Sequence, residues 1–274
     1  MIQAKIVEDS IAPSGARLTT FVLTYPRFIH SEFMTHRMFS RNASSSRAIP
    51  VKKSIQMVID NPVIPLAFTK NKAGMQGGEA LSGDQEAAAI SAWLEGRDRA
   101  VEMAQKLADL EVHKQYANRI LEPYSHITVV CSATDYANFF ALRCHVMAQP
   151  EIMALADLMY EEYRTSSPKQ MEIGDMHLPF VSDEERNELR QDDLIKMSVA
   201  RCARVSYLNH EGKKPTIEED KALYDRLVGS APIHASPAEH QAIAMGDPSR
   251  SGNFQGWIQY RKLLIDENVE EFKK

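Results

Sequence analysis

The 274-residue chain is poor in cysteine, has no long apolar run and carries no excess of positive charge. Its cysteines, Cys131, Cys144 and Cys202, are odd in number and lack CxxC spacing, which argues against metal binding and favours a reducing compartment. No apolar stretch approaches the roughly 20 residues of a membrane span. The first ten residues carry acids too early for a signal peptide. These features predict a cytoplasmic protein without a membrane segment.

The net charge of −5 makes the molecule as a whole a poor ligand for nucleic acid or for an anionic membrane surface. Any anion site must therefore be a local basic pocket. With 44% hydrophobic residues, the chain can bury the core of one large domain or two small ones.

One polar stretch, residues 35–47 (THRMFSRNASSSR), is rich in side chains that bind anions. Arginine presents a planar fork of N–H groups to phosphate oxygens, and serines at a turn let backbone N–H groups approach the same anion. The alternative is a solvated loop whose serines cap the next helix. The donors are Arg37, Arg41, Arg47, Ser40, Ser44, Ser45 and Ser46.

Local patterns predict strands over residues 3–8, 16–25 and 127–131. Helices are predicted over residues 28–35, 84–110, 116–121, 135–145, 151–163, 192–205, 216–228 and 254–264, with a further helix start at Ser236. Prolines and glycines over 49–83 predict a loop. Strands separated by long helices, without regular βαβ alternation, predict an α+β fold.

Three segments carry residues at the spacing of known sequence patterns. Residues 35–48 follow RHRxxSxNExSxRY at His36, Arg37, Ser40, Asn42, Ser45 and Arg47. Residues 118–152 follow AR-x-x-LP and N-F-x-x-LR-x-x-x-x-AQ-x-EI at Arg119, Asn138, Phe139, Leu142, Arg143, Ala148, Gln149, Glu151 and Ile152. Residues 203–207 and 234–240 are similar to ARVSF and HETPFEH. The chain thus resembles the flavin-dependent thymidylate synthases, also called thymidylate synthase complementing proteins.

The resemblance implies an α+β fold with an antiparallel or mixed sheet and long helices. It implies one domain over residues 1–274, with 49–83 as a loop insertion. The ARVS segment precedes the signature in the family but follows it here, so the order looks circularly permuted. Permutation requires termini that lie close together. We therefore expect residues 1–25 and 240–264 to share a sheet or pack on each other.

The resemblance also implies ligands and site residues. The phosphate of dUMP would contact Ser45, Ser46, Arg47 and Arg119, with Arg119 reaching across a subunit interface of a homotetramer. Arg143 would be the catalytic arginine at the pyrimidine. FAD would contact His36, Arg37, Asn42, Asn138, Ser206, His234 and Ser236. Methylenetetrahydrofolate and NADPH would be co-substrates.

Each assignment has a simpler alternative. Arg119 could pair with Glu122, Arg143 could be an exposed helix residue, and His234 could be structural. Thr35, Ala43 and Ala48 depart from the signature's arginine, glutamate and tyrosine, which puts the flavin contacts in question.

Glu32 stands where family members often have glutamine. As a hydrogen-bond acceptor it suits the amino group of cytosine better than the carbonyl of uracil, unless it faces solvent.

The expected function is the flavin-dependent reductive methylation of dUMP to dTMP. Alternatives are methylation or hydroxymethylation of dCMP or dUMP for base modification, and a non-catalytic nucleotide-binding relative that lost flavin.

Overall fold

The computed structural model describes residues 1–205, 214–230 and 232–267, and within them the chain forms ten strands and nine α-helices. The strands are β1 (Gln3–Ile11), β2 (Arg17–Pro26), β3 (Ser40–Ala43), β4 (His126–Ala133), β5 (Lys169–Gln170), β6 (Met176–His177), β7 (Ala242–Ala244), β8 (Arg250–Ser251), β9 (Phe254–Gln255) and β10 (Trp257–Gln259). The α-helices are α1 (His30–Phe33), α2 (Val51–Asp60), α3 (Asp84–Asp109), α4 (Lys114–Ala117), α5 (Ala137–Arg143), α6 (Pro150–Thr165), α7 (Asp183–Glu188), α8 (Gln191–Ala203) and α9 (Ile217–Val228). The fold is α+β, as predicted.

The first sheet has the order β3-β4-β2-β1-β5 and is antiparallel except for the parallel β1–β5 pair. Its long central strands are rich in β-branched and aromatic residues, which suit a pleated, buried surface. Phe21, Leu23 and Tyr25 alternate along β2 and join the main hydrophobic core. That core also contains Phe139 from α5 and Leu155 from α6, so both helices cover one face of this sheet.

The second sheet has the order β6-β7-β10-β8-β9 and packs against the chain's first strands. Leu18 and Trp257 share one buried cluster, and the Trp257 indole N–H donates to the Ala16 carbonyl at 3.0 Å. The Ser14 N–H donates to the Met245 carbonyl at 3.2 Å. These contacts confirm that residues 1–25 and 240–264 pack together, while the permutation itself stays a prediction.

The predicted helix over 254–264 is wrong: this segment forms β9, β10 and a 3-10 turn at Tyr260–Leu263. Gly256 has a φ of +72°, which interrupts a regular helix and which glycine adopts without steric cost. Trp257 and Gln259 are buried while Ile258 is partly exposed, which is the two-residue period of a strand.

The predicted loop over 49–83 is also wrong in its first part, because Val51–Asp60 is helix α2. Ile55 and Val58 lie one turn apart and pack on Ala100 and Ala104 of α3. A helix of ten residues is marginal in isolation, so its apolar face is stabilised by this packing. Residues 61–83 form no helix and contain one isolated bridge, between Thr69 and Ala80.

Of the helix starts predicted at Thr216 and Ser236, only the one at Thr216 is confirmed. The Thr216 hydroxyl accepts from the Glu219 N–H at 3.2 Å, and the Glu219 carboxylate accepts from the Thr216 N–H at 2.9 Å. Ser236 begins a 3-10 turn, Ser236–Glu239, without a side-chain cap. Ser206 lies outside the described residues.

No helix among the described residues is long and apolar enough to cross a bilayer.

A chain of buried polar side chains joins the two sheets. The Thr20 hydroxyl contacts Ser132 at 2.6 Å and His177 Nε2 at 2.8 Å, and Ser10 contacts His177 Nδ1 at 2.9 Å. The Ser132 hydroxyl also contacts His240 Nδ1 at 2.9 Å. Burial lowers the pKa of His240 to about 3 and that of His177 well below its usual value. Both imidazoles are therefore neutral in the folded protein near pH 7.

Because of these histidines, we expect the stability of the protein to fall as the pH is lowered. In the unfolded chain both take up protons below about pH 6.5, whereas the folded protein keeps them neutral, so acid stabilises the unfolded state. The free energy of unfolding should decline by several kcal/mol as the pH drops from 6.5 toward 3. Denaturant melts across this range measure it. His240→Asn, which keeps an acceptor for Ser132, should flatten the slope, and the exposed control His145→Asn should not; equal slopes in all three proteins would refute the assignment.

Candidate active site

Arg143 occupies the end of α5 and binds two residues from the segment that precedes β3. Phe139 and Phe140 are anchored in the core, which leaves Arg143 only partly buried at the rim of the helix. Its Nε–H donates to His36 Nε2 at 3.0 Å, and its guanidinium also donates to a Glu32 carboxylate oxygen. The carboxylate of Glu32 is thus held by an ion pair, with 30% of the side chain exposed.

His36 is neutral in this arrangement. Burial, followed by the charges of Arg143 and Arg41, lowers the pKa of His36 to about 4. A neutral ring that accepts at Nε2 carries its proton on Nδ1. The ring also lies edge-on to Phe139, with 4.9 Å between centroids. His36 therefore fixes Arg143 without adding a positive charge beside it.

A first cavity of about 340 Å³ opens beside this cluster. His36, Arg37 and Asn138, all predicted flavin contacts, line it together with Arg143. Its other lining residues are Thr35, Met38, Phe39, Asp135, Phe139 and Leu142. The cavity thus combines aromatic surface with two guanidinium groups, a carboxylate, an amide and an imidazole.

A second cavity, of about 770 Å³, also has Arg143 in its wall. Glu32 lines it with two aromatic side chains, Phe28 and Trp93. Sequence analysis missed both aromatics as site residues, since an aromatic residue on a helix is most simply read as core. Phe28, in the 3-10 turn Arg27–Ile29, and Trp93 of α3 lie edge to face with 6.4 Å between their ring centroids, a contact that depends on the fold.

Part of the 61–83 segment forms one wall of the second cavity and is anchored by Glu151. This carboxylate is 3% exposed and accepts from the Leu66 N–H at 2.8 Å and from the Gln149 amide at 3.0 Å. The Gln76 amide donates to the Met147 carbonyl. The segment is therefore held at both ends of its contact with the site.

Asn42 and Ser236 form a separate group that lines neither cavity. The Asn42 amide donates to the Cys202 carbonyl at 2.8 Å, and the Ser236 hydroxyl donates to Asn42 Oδ1 at 3.3 Å. The first and third family segments thus meet in space, although 194 positions separate these two residues. The side chain of His234 is exposed, and its backbone N–H donates to the Leu227 carbonyl at 2.7 Å.

Two of the predicted phosphate ligands converge on Glu122. The Ser46 hydroxyl donates to Glu122 Oε1 at 3.0 Å, and the Arg119 guanidinium donates to the same oxygen at 2.9 Å. The pairing of Arg119 with Glu122, considered above as the simpler alternative, is therefore present. Ser45 and Arg47 are exposed, and the Arg47 N–H donates to the Ser45 hydroxyl at 3.3 Å.

Comparison with known proteins supports one family. The sequence profile described as thymidylate synthase complementing protein matches residues 16–169, more than half of the chain. The crystal structure of the UMP/dUMP methylase PolB from Streptomyces cacaoi bound with 5-Br UMP matches at 17% identity and a TM-score of 0.49; the match covers 60% of this chain and 88% of PolB. The complex with 5-Br dUMP gives 18% identity, a TM-score of 0.49, and coverage of 60% and 90%. No curated protein matches the chain.

The profile match includes the signature, β4, α5 and α6, which carry the Arg143 cluster and most of both cavity walls. The match ends before the third segment. The contact between Asn42 and Ser236 is therefore seen in the structure and is not part of the profile match. The family predicted from the sequence patterns is confirmed: the chain belongs to the thymidylate synthase complementing protein family.

Proposed function

We propose that this protein catalyses the flavin-dependent reductive methylation of dUMP to dTMP, with methylenetetrahydrofolate as carbon donor and NADPH as reductant. The observation that carries the proposal is the position of Arg143, which lines both cavities. A group transfer between a cofactor and a substrate requires the two to be held next to each other in the right orientation. Family membership supports nucleotide methylation by an enzyme of the thymidylate synthase type. A homotetramer with active sites at subunit interfaces is part of this proposal.

The first cavity fits a flavin. Arg37 at its wall suits a pyrophosphate, while His36 and Asn138 offer hydrogen bonds to a polar ring edge beside Phe139. A bound flavin would supply hydride chemistry, which no side chain provides. The contribution of the protein is to bind, orient and exclude water. Asn42, Ser206, His234 and Ser236 remain proposed contacts for other parts of the cofactor.

The second cavity fits a pyrimidine. Phe28 and Trp93 provide apolar surface for a planar ring, and Arg143 provides a cation at its edge. A cation favours the ionised form of the ring over the neutral form. The contacts with His36 and Glu32 fix the guanidinium before the substrate arrives, so orientation costs little at binding.

The proposal is tested with purified protein and FAD. We expect flavin absorbance after removal of free FAD, and dTMP formation that requires dUMP, methylenetetrahydrofolate and NADPH together. Omission of each component in turn is the control. A colourless protein that binds dUMP but forms no dTMP would instead support the non-catalytic alternative.

Arg143→Ala should remove catalysis and leave the flavin content largely intact. Loss of one charged donor that stabilises a transition state costs roughly a hundred- to a thousandfold in kcat. Arg143 is at the rim of α5 and outside the core, so the fold should persist. Arg99→Ala, an exposed arginine of α3 that pairs with Glu102, is the matched control. Steady-state kinetics and flavin absorbance decide, and wild-type turnover in Arg143→Ala would overturn the assignment.

The second candidate function is the same chemistry on dCMP, and the carboxylate of Glu32 in the second cavity favours it. Glu32 accepts hydrogen bonds, which suits the cytosine amino group. Glu32→Gln restores a donor of the same shape and should shift the affinity ratio toward dUMP by about ten- to a hundredfold. The exposed control Glu172→Gln should leave the ratio unchanged. Calorimetry with both nucleotides measures it, and an unchanged ratio in Glu32→Gln would remove Glu32 from pyrimidine selection.

A further inference from the structure

The carboxylate of Glu122 gathers donors from three separate parts of the chain. Ser46 Oγ lies 3.0 Å from Oε1, and the Arg119 guanidinium lies 2.9 Å from the same oxygen. Arg27, from the 3-10 turn after β2, places a guanidinium nitrogen 3.6 Å from it. A hydroxyl and a guanidinium that donate to one oxygen, with a second guanidinium charge 3.6 Å away, form the kind of surroundings that a phosphate oxygen attracts.

The donors around Glu122 are held in place before any ligand binds. The Asn118 amide, buried beside Ser46, donates to the Ser46 carbonyl at 2.7 Å and to the Ile49 carbonyl at 2.9 Å. These bonds fix the turn that presents the Ser46 hydroxyl. Arg119 follows Asn118 directly, so the same contacts position its backbone.

One carboxylate does not balance this cluster. Two guanidinium groups carry two positive charges against the single negative charge of Glu122. The Arg27 Nε–H is buried and has no hydrogen-bond partner among the described residues. A buried donor without a partner is costly. The cluster therefore remains attractive to a second anion even with Glu122 in place.

Glu122 is also a departure from the pattern that this segment otherwise follows. The family pattern AR-x-x-LP has leucine directly before proline, whereas this chain has Glu122 before Pro123. Leucine accepts no hydrogen bond, so with leucine at this position Ser46 and Arg119 would lack the internal acceptor they have here. The internal anion is thus a property of this chain.

We propose that Glu122 is an internal competitor for the phosphate group of the nucleotide and sets how tightly this site binds phosphorylated ligands. The identity of the nucleotide rests on the proposed function, whereas the competition rests on the cluster itself. On binding, Ser46 exchanges the Glu122 carboxylate for the phosphate held by its own subunit, and Arg119 exchanges it for the phosphate held across the subunit interface. Arg27, which is more deeply buried than Arg119, stays with the carboxylate. Glu122 weakens binding in two ways, because it occupies donors and repels a dianion.

The test compares Glu122→Gln with wild type by calorimetry, using dUMP and, as the probe without phosphate, deoxyuridine. Glutamine keeps an acceptor for Ser46 and removes the charge. The dissociation constant for dUMP should fall by roughly ten- to a hundredfold, as expected when a like charge is removed from beside an anion. Deoxyuridine affinity should be unchanged. Glu95→Gln, the same charge change at an exposed position on α3, is the matched control and should alter neither constant.

Two further variants keep the test decisive. Glu122→Asp keeps the charge but shortens the side chain, so the carboxylate holds its neighbours less closely and dUMP binding should tighten in the same direction by a smaller factor. In the Arg119→Met background, Glu122→Gln should gain less than in wild type, because one of the released donors is absent.

Weaker dUMP binding by Glu122→Gln would mean that Glu122 orients Ser46 and Arg119 for the phosphate, and would overturn the proposal. An unchanged constant in both Glu122 variants would overturn it as well. Tighter dUMP binding without any dTMP formation would leave the competition intact and refute the proposed function. Formation of dTMP, with the same dUMP affinity in wild type and in both Glu122 variants, would support the proposed function and refute the competition.

Discussion

The pairing of β4 with β2 on one side and β3 on the other is the interaction on which the rest of the structure depends. β4 is buried along nearly its whole length, so apolar burial, and not the site, determines its position. Ser132 of β4 faces Thr20 and Ser40 in register, which aligns the signature strand with the central sheet. The chain then leaves β4 into α5, and this path delivers Arg143 to the segment that carries His36.

Two of the predicted ligand-binding arginines, Arg119 and Arg143, share one electrostatic arrangement, since an internal carboxylate holds each of these two. Arg143 pairs with Glu32 and Arg119 pairs with Glu122. Both pairs are partly exposed, so the desolvation that makes a fully buried pair costly is limited. Such a pair keeps a cation oriented and still lets an incoming anion replace the carboxylate. Affinity then depends on the balance between the two anions.

The two clusters differ in what surrounds the carboxylate. Glu32 lies in the wall of a cavity that fits a planar ring, so it can contact the ligand directly. Glu122 accepts hydrogen bonds from Ser46 and Arg119, two proposed phosphate ligands, so it would compete with a phosphate for these donors. Under the two proposals, the same residue type would select the base at one position and limit the affinity for the phosphate at the other.

The sequence by itself determined the family, the α+β class, the central strands and the long helix α3, because residue spacing and apolar periodicity are local properties. It also identified His36, Arg37, Asn138 and Arg143, which line one cavity. Only the tertiary structure decided that 254–264 forms strands and that Val51–Asp60 forms a helix, since packing partners distant in the chain stabilise both. Likewise, only the fold brought Arg27 to Glu122 and Ser236 to Asn42. Ion pairs and hydrogen bonds between residues far apart in the chain produce no periodic pattern in the sequence.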